Sequence, residues 1–141
     1  MRVSKQNAEG YSDPTAYKAL TRVMREGGAG NYKPLVYICS PYAGDIETNT
    51  QNAQSYCRFA VNRNCIPIAP HLLFPQFMDD SDADERDLAL FFAKVLLGKC
   101  DEIWVFGDNV TSGMASEIAR ARFRNMIIRS FDMNCGEVTA P

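Results

Sequence analysis

The stretch KCDEIWVFGDNVTSGMASEIARARFR, residues 99–124, decides the fold. Ile103, Trp104, Val105 and Phe106 form an unbroken apolar run, the pattern of a strand with helices over both faces. Residues 107–113 are rich in turn formers, and a helix follows. Thr111 or Ser112 can cap it by accepting a hydrogen bond from a first-turn N–H. Met114, Ile118 and Ala121 then share one face at helical spacing. Glu117 therefore sits about one turn inside a helix that opens beside the carboxyl end of a central strand. Helix N-termini favour anions and present free N–H groups, so a small ligand bearing phosphate or sugar hydroxyls fits there. Glu117 is the first candidate for chemistry.

Working outward, residues 35–39 (LVYIC) read as the first core strand, with Ser40, Pro41, Tyr42, Ala43 and Gly44 as the turn after it. A helix starting at Asp45 or Thr48 runs to Arg63, with Ala53, Tyr56, Cys57, Ala60 and Val61 as its buried stripe. Asn64 can close it in the left-handed conformation. Residues 66–69 (IPIA) form a short strand, and Pro67 marks it as an edge strand, where a lost donor does no harm. Residues 70–78 (PHLLFPQFM) are an apolar loop or short helix. After the acidic residues 79–87 a third core helix extends to Leu97 and is stopped by Gly98. Its expected buried stripe is Leu88, Phe91, Phe92, Val95 and Leu96, while Leu90 and Leu97 form a second line suggesting a partner surface. Residues 126–129 (MIIR) make a fourth strand, and the chain from Asp132 onward reads as a tail or an edge extension.

Ahead of this core, residues 1–12 are polar, and Asp13-Pro14 opens a helix over TAYKALTRVMRE. GGAGN, residues 27–31, then acts as a hinge. Residues 1–33 are thus an N-terminal helical extension and residues 34–141 an α/β domain. Alternating strands and helices imply parallel pairing and right-handed crossovers. The expected fold is α/β, a flavodoxin-like doubly wound parallel sheet of four to five strands in three α/β/α layers, with the extra N-terminal helix. Strand order 2-1-3-4 puts the switch point between the first and third strands, where ligands bind outside the carboxyl ends. The loops 40–44 and 107–113 face that crevice.

At 141 residues, 46% hydrophobic and 23% charged, the chain has the composition of a globular domain. A net charge of −2 and a pI near 5.4 argue against a nucleic-acid-coating surface. No apolar run of about 18 residues is present, so no membrane span is expected. The N-terminus lacks the apolar segment of a secretory signal, so the expected location is cytoplasmic. Five cysteines, none in a C-x-x-C pair, give no zinc or disulfide framework, and Cys39, Cys57 and Cys100 fall within apolar patterns. Asp80, Asp82 and Asp84 do not make a calcium loop, because Glu85 stands where glycine is needed and Phe91 where the closing glutamate belongs. P-loop, G-x-G-x-x-G, H-E-x-x-H and G-x-S-x-G motifs are absent. Arginines 120, 122, 124 and 129 read as a solvated face, with Arg120 one turn from Glu117 and able to pair with it.

The segments YICSPYAG (37–44), APHLLFPQFM (69–78), CDEIWVFG (100–107) and SGMASEIARA (112–121) resemble the nucleoside 2-deoxyribosyltransferase-like superfamily, in particular its small bacterial and phage members of unassigned function. The resemblance covers roughly residues 35–130. It implies that Glu117 is a catalytic nucleophile attacking the anomeric carbon of a nucleoside or nucleotide, and that Ser112 and nearby backbone donors recognise the sugar or a 5′-phosphate. Two positions depart from the family pattern: Thr111 stands where an aspartate is frequent, and Ala119 where glycine is usual.

The crevice loops and helix start supply the substrate-binding candidates Ser40, Pro41, Tyr42, Gly44, Gly107, Asp108, Asn109, Ser112, Gly113 and Met114. His71, the single histidine, and the pair Arg86 and Asp87 join them. Cleaving an N-glycosidic bond passes through an oxocarbenium-like state that a carboxylate can capture. The expected function is N-glycosidic bond cleavage or exchange, by an N-glycosidase or 2-deoxyribosyltransferase with no metal and no cofactor. Expected partners are a small nucleoside or nucleotide ligand and further copies of the chain, a dimer or higher homo-oligomer, with neither a nucleic acid polymer nor a membrane. The rival readings are a non-catalytic module binding a nucleotide or nucleotide signal, and a flavin-binding protein.

Overall fold

A computed structural model describes residues 32–139, so the helix expected over residues 14–26 lies outside the described residues. The described chain forms β1 (Leu35–Cys39), α1 (Ile46–Asn62), β2 (Ile66–Ile68), the short α2 (Pro70–Leu73) with a 3-10 turn (Phe74–Gln76), α3 (Ala83–Lys99), β3 (Glu102–Phe106), α4 (Ser112–Phe123), β4 (Ile127–Phe131) and β5 (Glu137–Val138). The sheet order is β2-β1-β3-β4-β5. The first four strands are parallel, and β5 returns antiparallel on β4. This is the flavodoxin-like doubly wound fold, and the edge extension expected after Asp132 is β5. Pro67 sits on the outermost parallel strand, as its missing N–H requires.

Each central strand divides its residues between two faces. Val36, Ile38, Trp104, Phe106 and Phe131 pack with Tyr56 and Ala60 of α1. On this face the Tyr56 and Phe106 rings stack at 4.2 Å and Phe59 meets Phe131 edge-on at 5.2 Å. Tyr37, Cys39, Ile103 and Val105 face the other way, toward Leu97 of α3 and Met114 and Ala121 of α4. Asp45 caps α1 by accepting from the Thr48 N–H, Asp82 caps α3, and Thr111 caps α4. Asn64 adopts φ 65°.

Three local expectations are corrected. The fourth strand spans Ile127–Phe131 rather than residues 126–129. Gly98 does not stop α3, which continues to Lys99. A Cβ at Gly98 would approach the Arg124 guanidinium to 3.3 Å, and Arg124 donates to the Gly98 carbonyl at 3.2 Å. This glycine therefore serves a close helix contact. The third correction concerns the inward face of α3, which carries Ala89, Phe92, Ala93, Leu96 and Leu97 while Leu88, Phe91 and Val95 are exposed. Leu97 is 1% exposed and Leu90 59%, so the two do not form one surface line. The helix is apolar nearly all round, so periodicity alone could not choose its buried side.

Gly107, directly after β3, holds φ +97° while its N–H donates to the Phe131 carbonyl at 3.0 Å. A side chain is strained at that backbone conformation. Gly107→Ala is therefore expected to lower stability by about 1–3 kcal/mol in equilibrium denaturation, without changing the helical content by circular dichroism.

Candidate active site

A cavity of about 550 Å³ opens at the carboxyl end of β1, walled by α2, the residues after it, α3 and the N-terminal half of α4. That volume suits a small-molecule ligand. Of the residues singled out in the sequence, Ser40, Tyr42, His71, Arg86, Ser112, Gly113, Met114 and Glu117 line it together. Pro41, Gly44, Asp87, Gly107, Asp108 and Asn109 are outside its lining. Gly44 acts through its backbone, holding φ +96° in the turn after β1. The Asn49 side-chain amide fastens that turn by donating to the Tyr42 and Ala43 carbonyls at 3.0 and 3.1 Å. Gly107 likewise shapes the end of β3 rather than the cavity.

Glu117 lies partly buried on the side of α4 that faces β1. Burial pushes its carboxyl up to about 7, against a smaller opposing effect of the hydrogen bond from the Tyr37 hydroxyl. Arg120, one turn on, does not contribute to that shift, so the expected Glu117–Arg120 pair is not what holds the carboxylate. Tyr37 is itself 2% exposed, and burial followed by the neighbouring Glu117 charge keeps its hydroxyl firmly protonated. It is the principal site residue that motif reading missed. The available signal was alternation: Tyr37 shares a strand face with Cys39, and a phenol in a covered strand needs a polar partner.

His71, held by α2, is half-buried, and its desolvation pushes it down to about 4, which leaves the ring neutral near pH 7. Its Nε2 lies 3.4 Å from Ser40 Oγ, and its ring centroid is 5.5 Å from that of Tyr42. Neutral imidazole offers one donor and one acceptor, which suits recognition of a polar ligand edge. Burial, and then the Asp80 charge, raise the Tyr42 hydroxyl above its ordinary value. Thr111, which stands at the family's frequent aspartate position, caps α4 instead, its Oγ1 accepting from the Met114 N–H at 3.2 Å. Ser112 is then the first helical residue, with its side chain left to the cavity. Among the described residues no cluster of histidine, cysteine or carboxylate side chains could hold a metal, and no helix is long and apolar enough to cross a membrane.

A doubly wound sheet carrying a ligand-sized cavity at its switch-point end defines a class of small-molecule-handling α/β domains. The chain belongs to the family described as "Domain of unknown function (DUF7768)", whose sequence profile matches residues 34–131. No curated protein sequence matches significantly. Among solved structures the fold is similar to the 2-deoxyribosyltransferase from the psychrotolerant bacterium Bacillus psychrosaccharolyticus, at 16% identity and a TM-score of 0.57. The match covers 75% of this chain and 77% of that one. At this identity the likeness establishes a shared fold.

The two partly buried titratable groups act oppositely on stability. The native state holds a proton on Glu117 between about pH 4.5 and 7 that the unfolded chain has released, so this group makes stability fall as pH rises through that window. His71 stays neutral in the native state between about 4 and 6.5, where the unfolded ring is protonated, so it makes stability fall as pH drops. The two slopes oppose one another between about pH 4.5 and 6.5. Glu117→Gln is expected to be more stable than wild type at pH 8, by up to about 3 kcal/mol, with the gain fading toward pH 5 in denaturant titrations. A gain that stayed constant with pH would show that Glu117 is not held near 7.

Proposed function

We propose that this protein breaks or exchanges the N-glycosidic bond of a nucleoside, nucleotide or nucleotide-derived metabolite, with Glu117 as nucleophile. One observation carries this reading: a partly buried carboxyl, hydrogen-bonded by Tyr37, lines a ligand-sized cavity at the carboxyl end of β1. Perturbed carboxyls in clefts are favoured sites for chemistry. The fold shared with a 2-deoxyribosyltransferase supports the same reading.

The Glu117 carboxylate would attack the anomeric carbon as the carbon–nitrogen bond breaks, and the electron pair would leave with the base, which takes up a proton. The glycosyl ester so formed is released by water in a hydrolase or by a second base in a transferase. Tyr37 acts as a positioning residue, donating to the carboxyl and stabilising its charged form. Neutral His71, Ser40 and Tyr42 would bind the base or sugar by hydrogen bonding and ring contact. A second reading is a module that binds a nucleotide without turnover, and Thr111 in place of the frequent aspartate favours it. It predicts a ligand-induced rise in melting temperature with no base release.

Chromatography of free base from ribo- and deoxyribonucleosides, their monophosphates and NAD tests the proposal. Base release is expected with wild type and is expected to fall by about 10³-fold or more in Glu117→Ala. Because the attacking form is the carboxylate, kcat/KM is expected to rise with pH to a plateau above about 7. In Tyr37→Phe that limb should move to higher pH, since the bond favouring the charged form is gone. Base release that survives in Glu117→Ala would overturn the nucleophile assignment.

A further inference from the structure

A second hollow of about 300 Å³ lies between α3 and α4, lined by Phe91, Lys94, Val95, Gly98, Lys99, Arg120 and Arg124. Four of its seven lining residues are cations and none is an acid, in a chain whose net charge is −2. Lys94 and Arg120 also line the larger cavity, so the two spaces adjoin at these side chains. Arg129 of β4 pairs with Glu137 of β5, outside this cluster. Arg124 donates to the Gly98 carbonyl and Arg120 lies 5.4 Å over the Phe123 ring; neither contact cancels charge. Helix-end compensation explains part of the cluster, since Lys99 and Arg120 occupy last turns. Lys94 lies more than a turn from the end of α3 and needs another reason.

Geometry supplies one. Glu117, Arg120 and Arg124 are spaced i, i+3 and i+7, and so descend one side of α4. Arg124 is roughly 10 Å beyond Glu117 along the helix axis at 1.5 Å per residue. Gly98, without a side chain, lets the Arg124 guanidinium lie against α3 at the floor of this hollow.

We infer that this basic groove is a phosphate-chain subsite of the same cavity, and that the substrate is a nucleotide carrying a pyrophosphate or longer phosphate arm. Its anomeric carbon lies at Glu117 and its phosphates run between α3 and α4 to Lys94, Arg120 and Arg124. The N–H groups and Ser112 at the start of α4 then meet sugar hydroxyls rather than phosphate. The placement of the sugar rests on the glycosidic reading of Glu117; the anion subsite does not.

Isothermal titration of the full chain with inorganic pyrophosphate at low ionic strength tests the subsite. Wild type and Glu117→Gln are expected to bind alike, while a Lys94→Gln/Arg120→Gln variant, altered at exposed positions, binds at least about tenfold more weakly. Added salt should weaken the wild-type affinity. No pyrophosphate binding, or equal binding by the double variant, overturns the subsite. The source of the phosphate is settled by competition. Nucleoside 5′-diphosphates are expected to bind at least about tenfold more tightly than the matching nucleosides and to displace pyrophosphate. Binding no tighter than the nucleoside, or binding without displacement, overturns the substrate assignment. Base release is scored separately, so wild type that binds pyrophosphate more tightly than the groove variant does, yet releases no base, would reject the glycosidic reading and leave the subsite standing.

Discussion

A strand covered on both faces has no room for a polar atom unless a partner meets it there, and β1 carries one in the middle of its run. Val36 and Ile38 point into the aromatic layer beneath α1, so alternation sends Tyr37 and Cys39 to the opposite face. The Tyr37 ring belongs to the core, but its hydroxyl, if left alone, would cost about 1–3 kcal/mol in lost hydrogen bonding. Glu117 on α4 answers it. The carboxyl in turn sits where water is scarce, and an isolated buried charge is far more expensive than a buried hydroxyl. The balance is a carboxyl that titrates near ordinary pH, hydrogen-bonded to a phenol that stays protonated. This meeting is consistent with the register that β1 takes between β2 and β3 and with the face of α4, Met114 and Ala121, that packs on the sheet.

The two faces of the sheet are packed unequally, and the inequality makes the cavity. Under α1 the layer is aromatic and dense: Trp104 and Phe131 approach to 5.0 Å, and Phe106 stacks on both Tyr56 and Phe131. Each such ring fully buried contributes about 1.5–3 kcal/mol. Among the described residues, the buried cluster on the other face has Tyr37 as its one aromatic residue, among Cys39, Leu97, Ile103, Val105, Met114 and Ala121. Where α3 passes over it, the inward positions include Ala89 and Ala93, both of which line the cavity. Small side chains on a long helix leave space between helix and sheet that larger ones would close. The dense face supplies rigidity, and the thin face supplies room for a ligand.

Much of this was legible in the residues. The apolar run at residues 103–106, the proline in the second strand and the capping residues together specify strand order and the crevice, because each acts locally and through backbone geometry. Glu117 was legible for the same reason: its position follows from a strand, a turn and a helix start. The face of α3 was not, because Leu88, Phe91 and Val95 match helical spacing as well as Ala89, Phe92, Ala93 and Leu96 do. Only contact with the sheet distinguishes them. Gly98 resembled a helix stop because its real constraint, the Arg124 guanidinium, is distant in sequence. Asp108 and Asn109 sit in the expected loop but outside the cavity lining, since Gly107 turns the chain sharply after β3. Alternation marks which face Tyr37 takes, but which residue meets it there, Glu117 eighty positions on, leaves no trace in the sequence pattern.

Net charge was the least informative quantity, for a physical reason. The total of −2 averages two separated populations. Asp79, Asp80 and Glu85 rim the cavity near the start of α3, whereas Lys94, Lys99, Arg120 and Arg124 gather where α3 and α4 end. Helix macrodipoles favour this sorting, with acids at N-termini and bases at C-termini. Because α3 and α4 are neighbours over the same face of the sheet, their basic ends add into one field instead of cancelling. Within about one Debye length, near 8 Å at physiological salt, a ligand responds to that local field rather than to the sum over the molecule. An acidic protein can therefore present a basic groove to an anion. Between the two poles, Glu117 is near its titration midpoint and His71 uncharged at neutral pH. The middle of the cavity therefore carries little fixed charge, while acids and bases are sorted toward its two ends.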